Sequence, residues 1–239
     1  MEIFKDKVDS IRNDICVTET EETWDAIAQS ISNLTMLCGN GGCDFPAEII
    51  TTMREFSRPI NRAMNSERTR LSGAAIDLIG VVASGLGMGF DPLLPLFFPA
   101  LLALCSRTNK VIITRTRTCI LTIIETTQLP SILPYFLQSV KDKSSSLRLT
   151  VAEGALASMN CFNPPDLEKD ARAREIEAII RATARDASAD IRKVSRKVFE
   201  AYKLLLPSRV DRYVQALYSS FCVMMDRSIA GLQRLLPQL

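Results

Sequence analysis

The sequence contains no histidine in 239 residues, a single tryptophan and only 6% aromatic residues. Without histidine, the Ser-His and Cys-His nucleophile pairs are excluded within this chain, and so is imidazole acid–base catalysis near neutral pH. It also leaves thiols and carboxylates as the only common zinc ligands. Cys38 and Cys43, the closest cysteine pair, offer two of the four ligands that a structural zinc needs. The chain therefore reads as holding no metal and no cofactor.

Long uninterrupted apolar runs are also missing. The most apolar stretch, Leu93 to Leu104, is broken by Pro95 and Pro99, whereas a membrane span needs roughly 20 apolar residues in a row. The first residues (Met1, Glu2, Ile3, Phe4, Lys5, Asp6) lack the basic start and apolar core of a secretory signal, so the expectation is a cytoplasmic protein without membrane contact. The seven cysteines are an odd number, scattered mostly in apolar segments where a thiol acts as a small hydrophobe. All are expected to be reduced.

What is present is an ordinary folding composition, 47% hydrophobic and 23% charged. The net charge of +2 conceals an asymmetry. Residues 1–60 carry 5 basic and 11 acidic groups, and residues 61–239 carry 24 and 16. A basic larger part suggests an acidic partner.

The apolar residues are mainly Leu, Ile, Ala and Val in segments without strand-like alternation, punctuated by Gly, Pro, Asn or Ser. They pair up. First members run roughly over Phe4 to Cys16, Pro46 to Met64, Pro92 to Ser106, Pro130 to Val140 and Leu167 to Asp186; second members begin near Thr23, Arg68, Val111, Leu147 and Asp190. The second-member starts are spaced by 45, 43, 36 and 43 residues, in or near the period of roughly 40–47 for two-helix HEAT repeats. The expected fold is all-α: a HEAT-repeat solenoid of about five helical pairs plus a terminal helix after Pro207, one domain over residues 1–239. Pro46, Pro92, Pro130 and Pro207 read as helix starts, where a missing N–H costs nothing, and the extra prolines within Pro92 to Pro99 mean either a kink or a delayed helix start. Pro164 and Pro165 read as a loop.

Two motifs have plain explanations. The acidic cluster Glu19, Glu21, Glu22 and Asp25 straddles a helix start, where negative charge is favoured, and reads as capping. Gly85, Gly87 and Gly89 form a GxGxG run that follows an apolar helix instead of a strand, so it reads as a helix stop, not a phosphate loop.

The loops inside the helical pairs carry the remaining signal. Loop two has Arg68 and Arg70; loop three has Arg107 and Lys110, with Arg115 and Arg117 just beyond; loop four has Lys141, Lys143 and Arg148; loop five has Arg192, Lys193, Arg196 and Lys197. Stacked pairs would align them on one ridge. Cations at helix starts oppose the helix dipole, so simple end-capping does not account for them. Loop one has no cation but leads into Trp24, a residue type at home in a core and equally in a binding hot spot.

Trp24 followed by basic loops resembles a TOG domain, the tubulin-binding HEAT array, of the kind found in the CLASP family of microtubule regulators. The resemblance extends over Leu86 to Asp91, Ser106 to Ile112, Leu129 to Leu133, Asp142 to Arg148, Asp186 to Lys197 and Tyr213 to Phe221. It implies a non-catalytic module, monomeric within a longer chain, that binds tubulin or microtubules and sits on the cytoskeleton and spindle. The contact residues it implies are Trp24, Arg68, Arg70, Lys110, Lys143, Arg148, Arg192, Lys193 and Arg196. One departure is that Asp25, Ala26, Ile27 and Ala28 follow the tryptophan where the family usually has basic residues. Two other readings fit the basic loops: a HEAT scaffold for another acidic protein, or a solenoid tracking nucleic-acid phosphates. The second is disfavoured because those loops lack aromatics for stacking.

Overall fold

The computed structural model describes residues 2–210, with side chains from Val8 onward. The expected Tyr213–Phe221 segment, Cys222 and all but the first turn of the helix after Pro207 lie outside the described residues. Twelve α-helices and three short 3-10 helices run in order, with no strand among the described residues.

They form five pairs. α1 (Glu2–Ile15) precedes α2 (Trp24–Gly39); α3 (Pro46–Glu55) and α4 (Ser57–Met64) precede α5 (Thr69–Leu86); α6 (Leu94–Leu104) precedes α7 (Lys110–Thr127); α8 (Leu133–Ser139) precedes α9 (Ser145–Cys161); α10 (Pro164–Glu168) and α11 (Asp170–Thr183) precede α12 (Ala189–Leu205). Second members start at 24, 69, 110, 145 and 189, intervals of 45, 41, 35 and 44 residues. Each packs on the next, α2 on α5, α5 on α7, α7 on α9 and α9 on α12, while α4, α6, α8 and α11 form the opposing layer. Between the layers lies a continuous apolar core that includes Phe56, Phe90, Phe97, Phe98 and Phe136.

Local sequence sets the ends. Asn109 caps α7, its side-chain oxygen accepting from the Val111 and Ile112 amides at 3.0 and 3.3 Å. Gly87, at φ +52°, stops α5 as expected. Some proline expectations are corrected. Pro92 lies inside a 3-10 helix (Gly87–Leu93) and Pro130 opens another (Pro130–Ile132), so α6 and α8 begin later, with Pro95 and Pro134 in their first turns. Pro164 and Pro165 open the five-residue α10 instead of marking a loop. The helix expected over Pro46 to Met64 is broken at Phe56, just before Pro59, which has no amide hydrogen to continue the ladder.

The span Thr69–Leu104 reaches a mean hydropathy of 1.6 in its most apolar window, the level of a membrane span. Here it is two helices separated by a 3-10 turn, with α5 packed between α2 and α7.

Candidate loop-edge binding site

Because the second helices stack side by side, the five loops that enter them lie in sequence along one edge. Side chains tie neighbouring loops together. Arg68 of loop two reaches Glu19 of loop one at 2.7 Å and Glu21 at 2.6 Å, and Ser66 donates to Glu19 Oε1 at 2.7 Å. Arg107 of loop three donates to Oδ1 of Asn65 in loop two at 2.8 Å. Arg148 holds Asp186 of loop five by two bonds of 2.6 and 3.1 Å.

Loops four and five share a construction. Asp142 Oδ1 accepts from the Ser144 amide and Asp186 Oδ1 from the Ser188 amide, at 2.7 and 2.9 Å. Six residues after each aspartate an arginine folds back onto the loop carbonyls. Arg148 donates to Asp142 O and Lys143 O, and Arg192 to Asp186 O and Ala187 O, at distances of 2.6–3.0 Å. The repeated spacing Asp-x-Ser-x-x-x-Arg, at 142–148 and 186–192, is therefore a loop brace. That signal was in the sequence.

The nine residues expected to make contact fall into two groups. Trp24 is half-buried, packed against the core on one side, with the Arg68 guanidinium 5.6 Å from its ring centroid. Arg68 is held by Glu21 and Glu19, which push its pKa further up. Arg70 is paired with Asp25. Arg148 is clamped on Asp186, whose carboxyl that contact pulls below its ordinary range, and Arg192 is spent on loop carbonyls. In contrast, Lys110, Lys143, Lys193 and Arg196 are exposed and form no ion pair among the described residues. Lys110 opens α7, Lys143 lies in loop four, and Lys193 and Arg196 lie in the second turn of α12.

The acidic cluster does not cap α2. Its N-cap is Thr23, which makes no side-chain cap bond to the helix and instead joins a threonine turn: Thr23 Oγ1 donates to Thr18 O at 2.7 Å, and Thr20 Oγ1 accepts from the Glu22 and Thr23 amides. Glu19 and Glu21 serve Arg68, and Asp25 serves Arg70, so the first-turn dipole accounts for Asp25 alone. Sequence reasoning also passed over two exposed aliphatic side chains on this edge, Val17 in loop one and Val111 beside Lys110, 44% and 65% exposed. Arg115 and Arg117, just inside α7, pair with Asp77 of α5 and Glu153 of α9 and so stitch the second-helix row.

The sequence profile described as CLASP N terminal matches residues 6–222. The chain belongs to that family. The CLASP N-terminal match takes in all five helical pairs. Protein stu-1 of Neurospora crassa is 23% identical over 203 residues, 83% of this chain and 18% of that protein. Protein peg1 of Schizosaccharomyces pombe is 37% identical over 94 residues, 39% of this chain. The chain thus spans about a fifth of the length of the curated relatives it matches along most of its length (16–18%). Among solved structures, one of crescerin, described as using a TOG domain array to regulate microtubules in the primary cilium, superposes with a TM-score of 0.62 at 16% identity, covering 89% of this chain and 86% of that one. The MAST/Orbit N-terminal domain gives 0.60 at 9% identity, covering 93% and 96%. Both share this fold, a TOG-type helical solenoid.

Proposed function

We propose that residues 1–239 act as one non-catalytic module that binds tubulin, as free dimer or in the microtubule lattice, through the loop edge, and so help to regulate microtubules on the cytoskeleton. The observation that supports this reading is that Lys110, Lys143, Lys193 and Arg196 are exposed, form no ion pair among the described residues, and lie in or within two turns of the loops that enter α7, α9 and α12 of a CLASP N-terminal domain. Cations without internal partners are suited to an acidic protein surface, because desolvating them is offset only when a partner supplies the carboxylates. Trp24 contributes an apolar contact at the other end. Arg68 stands beside it, its charge shared with Glu19 and Glu21, while Arg70, Arg148 and Arg192 act at one remove, by fixing the loops that carry the contacts.

The test is sidedness at equal charge change. Lys193→Glu with Arg196→Glu is compared with Arg54→Glu with Arg58→Glu, both of which are exposed near the α3–α4 break, away from the loop edge. Arg192 is left intact because it braces loop five. Co-sedimentation with microtubules and gel filtration with tubulin dimers should show at least about a tenfold loss for the edge pair and little for the other. Equal losses would mean long-range attraction alone, and tight binding of any duplex nucleic acid with a steep salt dependence would favour the phosphate-tracking alternative.

A further inference from the structure

Away from the loop edge, at the joint between the first and second helical pairs, two thiols face each other. Cys38 is the penultimate residue of α2 and is only 3% exposed, while Cys43 is half-buried in the middle of a 3-10 helix (Gly42–Asp44). The turn between them, Gly39-Asn40-Gly41-Gly42, doubles back because Gly41 adopts φ +93°. The two thiols lie across this turn from each other, close enough that each shifts the titration of the other. Helix α5 fixes the Cys43 sulfur from behind. A methyl at Gly85 would lie 2.5 Å from that sulfur, so the absence of a side chain there is what lets Cys43 sit against α5. Both cysteines line an open groove of about 830 Å³ between α2, α5 and α7, through which a small solute can reach the half-buried Cys43.

We propose that Cys38 and Cys43 form a peroxide-responsive thiol pair that closes to an intramolecular disulfide and locks the joint between the first two helical pairs. Only the glycine-rich turn Gly39–Gly42 separates the two residues and both line one groove, so closure to the ~2.05 Å of an S–S bond is a movement of that turn and leaves the helices in place. The two thiols are unequal. Cys38 is 3% exposed and burial raises its pKa, whereas Cys43 is half-buried and open to the groove, so Cys43 is the attacking sulfur and Cys38 the resolving one. The Cys43 thiolate attacks one peroxide oxygen, the O–O bond breaks and the departing hydroxide takes a proton to become water. Cys43 is left as a sulfenic acid. The Cys38 sulfur then attacks it, loses its proton and displaces the hydroxyl as a second water. Two thiols are oxidised by two electrons and one peroxide is reduced.

The other described cysteines are differently placed. Cys105 is sealed in the core, burial pushing its thiol up to about 11; Cys119 lies in the wall of the same groove but is only 6% exposed, and burial pushes its thiol higher still; Cys16 is exposed on loop one and Cys161 is half-buried. This inference is independent of tubulin binding, and its readout is chemical.

The test treats the full chain with hydrogen peroxide in a few-fold excess, quenches, unfolds, alkylates and analyses it by intact and fragment mass spectrometry. The expected first product has lost two hydrogens, with Cys38 and Cys43 protected from alkylation and Cys16 still alkylated, and a dithiol reductant reverses it. Cys38→Ser should stop at a Cys43 sulfenic acid that a cyclic 1,3-diketone traps, and Cys43→Ser should slow oxidation of Cys38 by at least about tenfold. Gly85→Ala, by displacing the Cys43 sulfur, should slow closure. Modification of Cys16 or Cys161 before the pair, an unchanged rate in Cys43→Ser, or closure only in denaturant that abolishes the helical signal would each overturn the proposal.

Discussion

The guanidinium of Arg68 lies 5.6 Å from the centre of the Trp24 ring and is held there by two glutamates of loop one. The only tryptophan in the chain therefore lies beside a cation whose charge is already matched by Glu19 and Glu21. For an acidic partner these glutamates are competitors for Arg68.

Removing that competition gives the first prediction. Glu19→Gln with Glu21→Gln should raise affinity for tubulin several-fold at low salt, an effect that shrinks as salt is added. Trp24→Ala should lower affinity and also cost stability, though less than the about 3–5 kcal/mol of a fully buried tryptophan, since one face is open. Binding isotherms with urea denaturation separate the two effects. Unchanged affinity in the double glutamine variant would take Arg68 and its glutamates out of the contact.

The Arg148–Asp186 pair makes stability depend on pH. The side chains are 16% and 6% exposed, and the Arg148 guanidinium holds the Asp186 carboxyl below its ordinary range. A carboxyl depressed in the folded state contributes fully above its unfolded pKa of about 3.9 and loses that contribution as pH falls through the lower folded value. Asp186→Asn should therefore cost up to about 3 kcal/mol near pH 7, where it strands a largely buried arginine. The gap should narrow on acidification below about pH 4. Urea midpoints for both proteins across that range are the measurement, and a constant gap would assign the loss to loop geometry alone.

Gly154 sets two effects against each other. An alanine inside a helix normally gains about 0.5–1 kcal/mol over glycine. On α9, however, a Cβ at 154 would fall 2.4 Å from Cζ of Phe136, which is fully buried on α8 and has no room to retreat. Overpacking of that kind costs about 1–3 kcal/mol, so Gly154→Ala should be destabilising on balance. A calorimetric melting point that rises would show that the α8–α9 contact can relax.

Much of the architecture was legible because helix punctuation is local. The second helices start within two residues of their expected positions, for instance Thr69 against Arg68 and Lys110 against Val111. The proline run from Pro92 left a kink or a delayed start open, and the delayed start is what occurs; Pro130 misled because it too is followed by a second proline, Pro134, and a tight 3-10 turn absorbs the first before the α-helix begins. Which cations are free was much harder to see. Partners lie one repeat away: Arg70 and Asp25 are 45 residues apart, Arg115 and Asp77 38, Arg117 and Glu153 36, Arg148 and Asp186 38. A search for opposite charges at the helical-pair period, not within single helices, would have found them. Cations opposing the helix dipole thus have two explanations: Arg68, Arg70, Arg148 and Arg192 are absorbed internally, whereas Lys110, Lys143, Lys193 and Arg196 are not.

The ties between loops are unevenly distributed. Loops one to three are joined through Arg68 and Arg107, and loops four and five through Arg148. Among the described residues no hydrogen bond or ion pair joins loop three to loop four, and a groove of about 260 Å³ opens there between Ser106 and Asp142. The edge is thus two braced plates meeting at a seam, held behind it by α7 on α9 and the Arg117–Glu153 pair. Nearest-neighbour packing lets a solenoid bend most easily where such ties are fewest. Lys110 stands on one plate and Lys143, Lys193 and Arg196 on the other, so bending at the seam changes the separation of Lys110 from the remaining three and leaves the spacing within that trio unaltered.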